Sequence, residues 1–170
     1  MGAAQILDGL DREAATAALT RCCGARRWVE GMVARRPFGH DEALMVAADE
    51  VWAGMERADI LEAFTHHPEI GASLEALREK FAPTAGWSGS EQAGVGEAGE
   101  DTLRALRDGN VAYRERFGFI FIVCATGKSA EQMLALLHAR LPNEPAVELP
   151  LAAAEQAKIT KLRLAKLATP

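Results

Sequence analysis

At 170 residues, with 49% hydrophobic and 25% charged side chains, the chain suits one domain that buries a core without disulfide or metal staples. A net charge of −5, and no basic run interleaved with aromatics, argue against a nucleic-acid-binding protein. Three cysteines, two of them adjacent (Cys22 and Cys23), make neither a disulfide framework nor a CxxC motif and read as reduced thiols of a cytoplasmic protein. The N-terminus lacks the basic start and apolar core of a signal peptide, and no apolar run approaches the length of a membrane span.

Taken in chain order, Asp8 or Asp11 can cap a helix that runs through Cys22, with Gly24 as its stop. A second helix carries Trp28, Val29 and Met32 and ends before Pro37. The third runs from about Asp41 to Met55, where Leu44, Ala47, Ala48, Val51, Trp52 and Met55 follow the helical period. Ile60, Leu61 and Phe64 continue that pattern up to His66. There His66-His67-Pro68-Glu69-Ile70-Gly71 interrupts it. Pro68 drives His67 out of helical backbone space, and Gly71 permits a conformation that other residues resist. An imidazole, the side chain whose charge changes near neutral pH, is thus presented at a sharp chain break. A polar interhelix turn with two solvated histidines accounts for the same residues.

Leu74 and Leu77 suit a short helix before Pro83. Ser88 opens the longest helix, which passes Leu103 and Leu106, breaks near Gly109-Asn110 and reaches Tyr113. Ser88-x-x-Glu91 fits a capping box. The same helix start gathers free N–H groups with the Ser88 hydroxyl, the Glu91 carboxylate and the Gln92 amide, a set that could orient a polar, partly anionic small molecule. Phe119 to Cys124 is strand-like, yet no other segment offers a partner strand. It is therefore expected as a buried extended segment, about 119–125, whose backbone bonds to side chains, helix ends or a ligand. Ser129 caps a helix through Arg140, Pro142-Asn143 turns the chain, and a last helix runs from about Leu151 to Leu167. The expected architecture is all-α, a single-domain helical bundle over residues 1–170.

Several motifs imitate chemistry without completing it. Thr126-Gly127-Lys128-Ser129 resembles the end of a phosphate-binding loop, but the glycine required five places before Gly127 is Ile122. A helix cap at Ser129 and a solvated Lys128 suffice. His66 and His67 are adjacent instead of four apart, and His40 and His138 have no ligand pattern nearby, so no metal is expected. Ser88 lacks the Gly-x-Ser-x-Gly elbow of a hydrolase. Arg163 shares a helical face with Gln156, Ile159, Thr160 and Leu167, where it either snorkels outward or binds an anion.

Together the segments resemble one family, the OHCU decarboxylases of urate degradation. The resemblance is carried by His67-Pro68-Glu69-Ile70-Gly71, by Trp87-Ser88-x-x-Glu91-Gln92, by the run from Arg116 to Ser129 that holds Phe119-Ile120-Phe121-Ile122-Val123-Cys124, and by Glu155 to Leu164. It implies an all-helical, homodimeric lyase that converts 2-oxo-4-hydroxy-4-carboxy-5-ureidoimidazoline to (S)-allantoin and carbon dioxide with no cofactor. Matched residue by residue, it makes His67 catalytic with Glu91 and the anion-binding Arg163. It assigns substrate contact to Pro68, Ser88, Gln92, Phe121, Ile122, Val123, Cys124 and Ala125. His66 and Glu69 stand where the family often has a small residue and a basic one. The alternatives are an inactive helical interaction module of the same fold, or a related enzyme acting on another ureido-imidazole.

Overall fold

The computed structural model describes residues 1–82 and 89–169, with the side chains of Ile70 and of residues 89–98 outside the description. Among the described residues it is all-α: α1 (Ala3–Gly9), α2 (Arg12–Cys22), α3 (Arg26–Ala34), α4 (Asp41–Ala53), α5 (Arg57–Thr65), a 3₁₀ turn (Ile70–Ala72), α6 (Leu74–Lys80), α7 (Gly89–Phe117), α8 (Ala130–Arg140) and α9 (Pro145–Lys166), with no strand. The chain forms two compact units, one of Met1–His67 with Leu151–Pro170, the other of Pro68–Pro150.

In the first unit, Asp11 caps α2 as its sequence position suggests, its carboxylate accepting the Ala14 N–H at 2.8 Å. Asp8 does other work: its carboxylate accepts the N–H groups of Phe38 and Gly39 at 2.9 and 2.8 Å, holding the bend that follows α3. Helix α1, which the sequence pattern does not show, has no capping side chain at Gly2, whose N–H is accepted by Gln5 Oε1 at 3.2 Å. Its Ala4 N–H is instead taken by Asp41 at 2.8 Å, from the start of α4. His40 caps that helix through Nδ1, which accepts the Ala43 N–H at 3.2 Å. The core packs Leu7, Leu19, Trp28, Met32 and Leu44 against Leu164 of α9. Burying each such side chain contributes about 1.5–3 kcal/mol. The two tryptophans satisfy their indole N–H groups on backbone carbonyls, Trp28 on Ala48 at 3.2 Å and Trp52 on Ala153 at 3.0 Å.

In the second unit, α8 begins on the Ser129 capping box: Ser129 Oγ accepts the Gln132 N–H at 3.2 Å and Gln132 Oε1 accepts the Ser129 N–H at 2.8 Å. Two helix expectations are corrected. Helix α7 does not break at Gly109-Asn110. Gly109 lies against Leu137, where an added Cβ would come within 2.7 Å of a methyl, and Asn110 bonds back to the Leu106 carbonyl at 2.8 Å. Close packing, not a break, is the reason for the glycine. Helix α9 starts at Pro145 instead of Leu151 and runs through Pro150. Proline is well suited to the first helical position, and the residues beyond Pro150 rebuild the ladder.

The extended segment lies between α7 and α8 and finds its partners on side chains. Arg140 is the centre of that arrangement. Its guanidinium donates to the Ile122 carbonyl at 2.6 Å and to Glu148 Oε1 at 2.7 Å. Glu148 is fully buried and also accepts from the Tyr113 hydroxyl at 2.5 Å and the Asn143 amide at 3.0 Å. Burial, and then this bond to Glu148, push the Tyr113 phenol above its ordinary range, so it stays a proton donor. The Arg140 guanidinium also lies 4.6 Å from the Phe121 ring centre.

Removing Glu148 would leave Arg140 buried without its counter-charge. Glu148→Ala is expected to lower stability by about 3–5 kcal/mol, the range for breaking one side of a buried pair. Urea unfolding followed by far-UV circular dichroism checks this, and a loss below about 1 kcal/mol would show that water takes over the carboxylate's role.

Candidate active site

His67 follows directly on α5, whose last turn closes with the His66 and His67 N–H groups bonded to the Ala63 and Phe64 carbonyls at 3.3 and 3.2 Å. The next residue is Pro68, so the helix cannot extend. Gly24, expected only as a helix stop, shapes this turn directly: an added Cβ would sit 2.1 Å from the His66 ring. Only glycine lets the ring approach so closely. His66 is exposed whereas His67 is half-buried, so the picture of two solvated histidines holds for the first and not the second.

His67 is held by α9. Its Nε2 lies 2.5 Å from Gln156 Oε1, and Gln156 Nε2 donates to Thr160 Oγ1 at 3.0 Å. Gln156 and Thr160 are both buried. One further turn along, the Arg163 guanidinium stands 3.5 Å from His67 Nδ1. Burial lowers the His67 pKa below its ordinary 6.5, the Gln156 bond opposes the shift, and the charges of Arg163 and His66 add to it. Burial thus favours the neutral imidazole, the form that can accept a proton. Among the described residues Arg163 has no carboxylate partner, unlike Arg140. Arg163 is half-buried and directed at the His67 ring, so it does not simply snorkel into solvent.

Thiol chemistry contributes little here. Burial raises Cys22 to about 11 and also raises Cys23, so both stay protonated. Among the described residues no cluster of His, Cys, Asp and Glu could hold a metal, and no helix is long and apolar enough to cross a membrane.

The remaining candidates belong to the second unit. Pro68 and Phe121 line one cavity of about 410 Å³ together with Asn110, Val111, Arg114 and Ile120. Glu69 pairs with Arg114 at its edge. Ile122 is buried, and Phe121, Val123, Cys124 and Ala125 are half-buried in the extended segment. The Cys124 carbonyl accepts from Lys128 Nζ at 2.7 Å and the Ala125 carbonyl from the Lys128 N–H at 3.0 Å. Lys128 thus closes its own loop and is not solvated as the sequence suggested. Gly127 turns that loop at φ +75°, a conformation that favours glycine. Ser88 lies outside the described residues, and Glu91 and Gln92 fall within α7 with their side chains outside the description. From the sequence, Gln156 is marked only as a neighbour of Arg163 on one helical face. Its contact with His67 spans 89 positions, and no local pattern reports such a distance.

A family model, OHCU decarboxylase, matches residues 8–165. The uric acid degradation bifunctional protein TTL of Arabidopsis thaliana is 40% identical over 148 residues, covering 86% of this chain and 45% of that protein. The chain therefore spans less than half of that longer relative. The 2-oxo-4-hydroxy-4-carboxy-5-ureidoimidazoline decarboxylase of Amia calva is 34% identical over 131 residues, 76% of this chain and 73% of the relative. Among solved structures, an OHCU decarboxylase crystallised in the presence of (S)-allantoin aligns with a TM-score of 0.72 at 34% identity, covering 95% of this chain and 100% of that one. An (S)-allantoin synthase at 18% identity, with a TM-score of 0.69, covers 96% of this chain and 53% of its own, and shares the fold.

The lowered His67 pKa has a defined sign. The folded protein binds this proton less readily than the unfolded chain, so the contribution to stability is intact above pH 6.5 and is lost as pH falls through the folded value. An NMR titration of the His67 ring is expected to give a midpoint below 6.5. Arg163→Met should raise that midpoint while leaving it below 6.5, because burial is the larger cause. A wild-type midpoint above 6.5 would show the imidazole to be stabilised as a cation instead.

Proposed function

Because this chain belongs to the OHCU decarboxylase family, we propose that it decarboxylates 2-oxo-4-hydroxy-4-carboxy-5-ureidoimidazoline to (S)-allantoin, without a cofactor. The observation that supports this reading is a half-buried His67 held at Nε2 by Gln156, with the Arg163 guanidinium, which has no carboxylate partner among the described residues, beside Nδ1.

The chemistry suits such a pair. The substrate carboxylate sits on a carbon that also bears a hydroxyl and adjoins a ring C=N. When the bond to the carboxylate breaks, carbon dioxide leaves and the electron pair moves into that C=N. The hydroxyl then loses its proton to become a carbonyl, and the neighbouring ring carbon gains one. One proton is taken up overall for each carboxylate consumed. Since the electron sink lies inside the substrate, the protein's task is positioning, charge stabilisation and proton transfer. Arg163 would hold the anionic substrate, and His67 would accept the hydroxyl proton and deliver one to a single face of the adjacent carbon, which makes the product one-handed. A base so placed is worth about 100- to 10,000-fold in rate.

The family resemblance supports further roles for the other candidates: Glu91 as a partner of the histidine or the ureido group, Ser88 and Gln92 in orientation, and Pro68 with the segment from Phe121 to Ala125 in substrate contact. The same reading makes the protein a cytoplasmic homodimer in purine breakdown.

The test is the decay of freshly generated substrate, made from urate with urate oxidase and hydroxyisourate hydrolase and followed by circular dichroism. Wild type is expected to form one allantoin enantiomer rapidly, and His67→Ala is expected to follow the spontaneous, racemic course while remaining folded. Arg163→Ala should act mainly through KM. Wild type that merely tracks spontaneous decay would reject the activity and leave the helical interaction module as the better description.

A further inference from the structure

The sequence and the family resemblance single out His67 and Arg163 but leave open which imidazole nitrogen does the work. We infer that Gln156, oriented by Thr160, is a positioning residue that fixes His67 as the Nε2–H tautomer, so that Nδ1, beside Arg163, is the basic atom. The inference rests on the proposed activity for its catalytic meaning, but its structural part stands separately.

The Thr160 side chain is buried, and its hydroxyl oxygen accepts from Gln156 Nε2 at 3.0 Å. That bond spends the amide nitrogen on Thr160 and turns Oε1 toward the histidine, 2.5 Å from Nε2. A carbonyl oxygen can only accept, so Nε2 must carry the proton. The neutral ring then has its lone pair on Nδ1.

Arg163 supplies an independent check. A guanidinium has donors and no acceptor, and it stands 3.5 Å from Nδ1. Turning the Gln156 amide over would present an N–H to Nε2, move the ring proton to Nδ1 and set it against the guanidinium, donor against donor. The two ends of the imidazole therefore require the same tautomer. Among the described residues, the charged and titratable groups acting on His67 are Arg163 from α9 and His66 from its own turn, and both disfavour a second ring proton.

Functionally, the basic nitrogen and the anion-binding group are side by side. A substrate carboxylate drawn to Arg163 brings its neighbouring hydroxyl toward Nδ1, while Nε2 stays occupied with Gln156. Gln156 touches no reacting atom, and its effect passes through the ring. An orienting partner of this kind commonly decides how much of a base's catalytic power is realised.

The experiment pairs nitrogen-15 NMR of histidine-labelled protein with the substrate assay. Wild type is expected to show His67 protonated at Nε2 near pH 7.5, and a ring protonated at Nδ1 would overturn the inference whatever the activity. Gln156→Leu is expected to give a mixed tautomer and to lower kcat on the order of tenfold, with KM within about twofold. Gln156→Leu with an unmixed Nε2–H ring and unchanged kcat would also overturn it. Gln156→Glu keeps the acceptor, so it should preserve the tautomer, retain more activity than the leucine variant and shift the acidic limb of kcat/KM to higher pH, since a carboxylate stabilises imidazolium. An unshifted limb in that variant counts against the bond. If Gln156→Leu fails to fold, the wild-type spectrum and the glutamate variant still decide. Absence of turnover in wild type rejects the proposed activity alone, because the tautomer is read without substrate.

Discussion

The buried pair of Arg140 and Glu148 sets the terms for the second unit. Six residues of strand-like composition lie between α7 and α8, and among the described residues there is no strand to pair with them. Backbone polar groups taken out of water need partners. Arg140 supplies one at Ile122, and the pair is affordable in a low-dielectric interior only because Tyr113 and Asn143 also bond the carboxylate. Lys128 does the same for Cys124. An extended segment held by side chains keeps a backbone shape that a sheet would have flattened and shared with a neighbour.

The first unit solves a different electrostatic problem. Arg140 has its positive charge balanced by an adjacent carboxylate, whereas Arg163 faces a neutral ring nitrogen. The contrast separates a guanidinium with a carboxylate partner from one that, among the described residues, has none. It also accords with the lowered His67 pKa. An imidazolium at that position would be repelled by Arg163, and burial would add the cost of desolvating its charge.

Helix positions were legible wherever the signal was local. Asp11 and Ser129 cap the helices they precede, and Leu44, Ala47 and Ala48 mark the buried face of α4. The failures share one physical cause, which is that the deciding partner is distant in sequence. Helix α1 is capped by Asp41 from 37 positions away. Gly109 reads as a break until Leu137 is seen to need its space. The site divides the same way: the His67-Pro68 break and Arg163 stand out in the chain, whereas the Gln156 contact exists only once α5 and α9 are packed.

That division says why a histidine beside a proline could be recognised but not understood from its own turn. The turn decides where the imidazole is; the long helix decides what it is. Gln156, Thr160 and Arg163 stand four and three residues apart, spacings that bring successive side chains onto one face. One helical stripe therefore orients an amide, a hydroxyl and a cation together, and the first and last of these meet opposite nitrogens of the same ring. Rotating the helix by one residue would move the whole stripe by about 100° and lose both contacts at once. Catalytic geometry in this fold is thus tied to the packing of α9 through buried Leu164 and Ala152 as much as to any residue that meets a substrate.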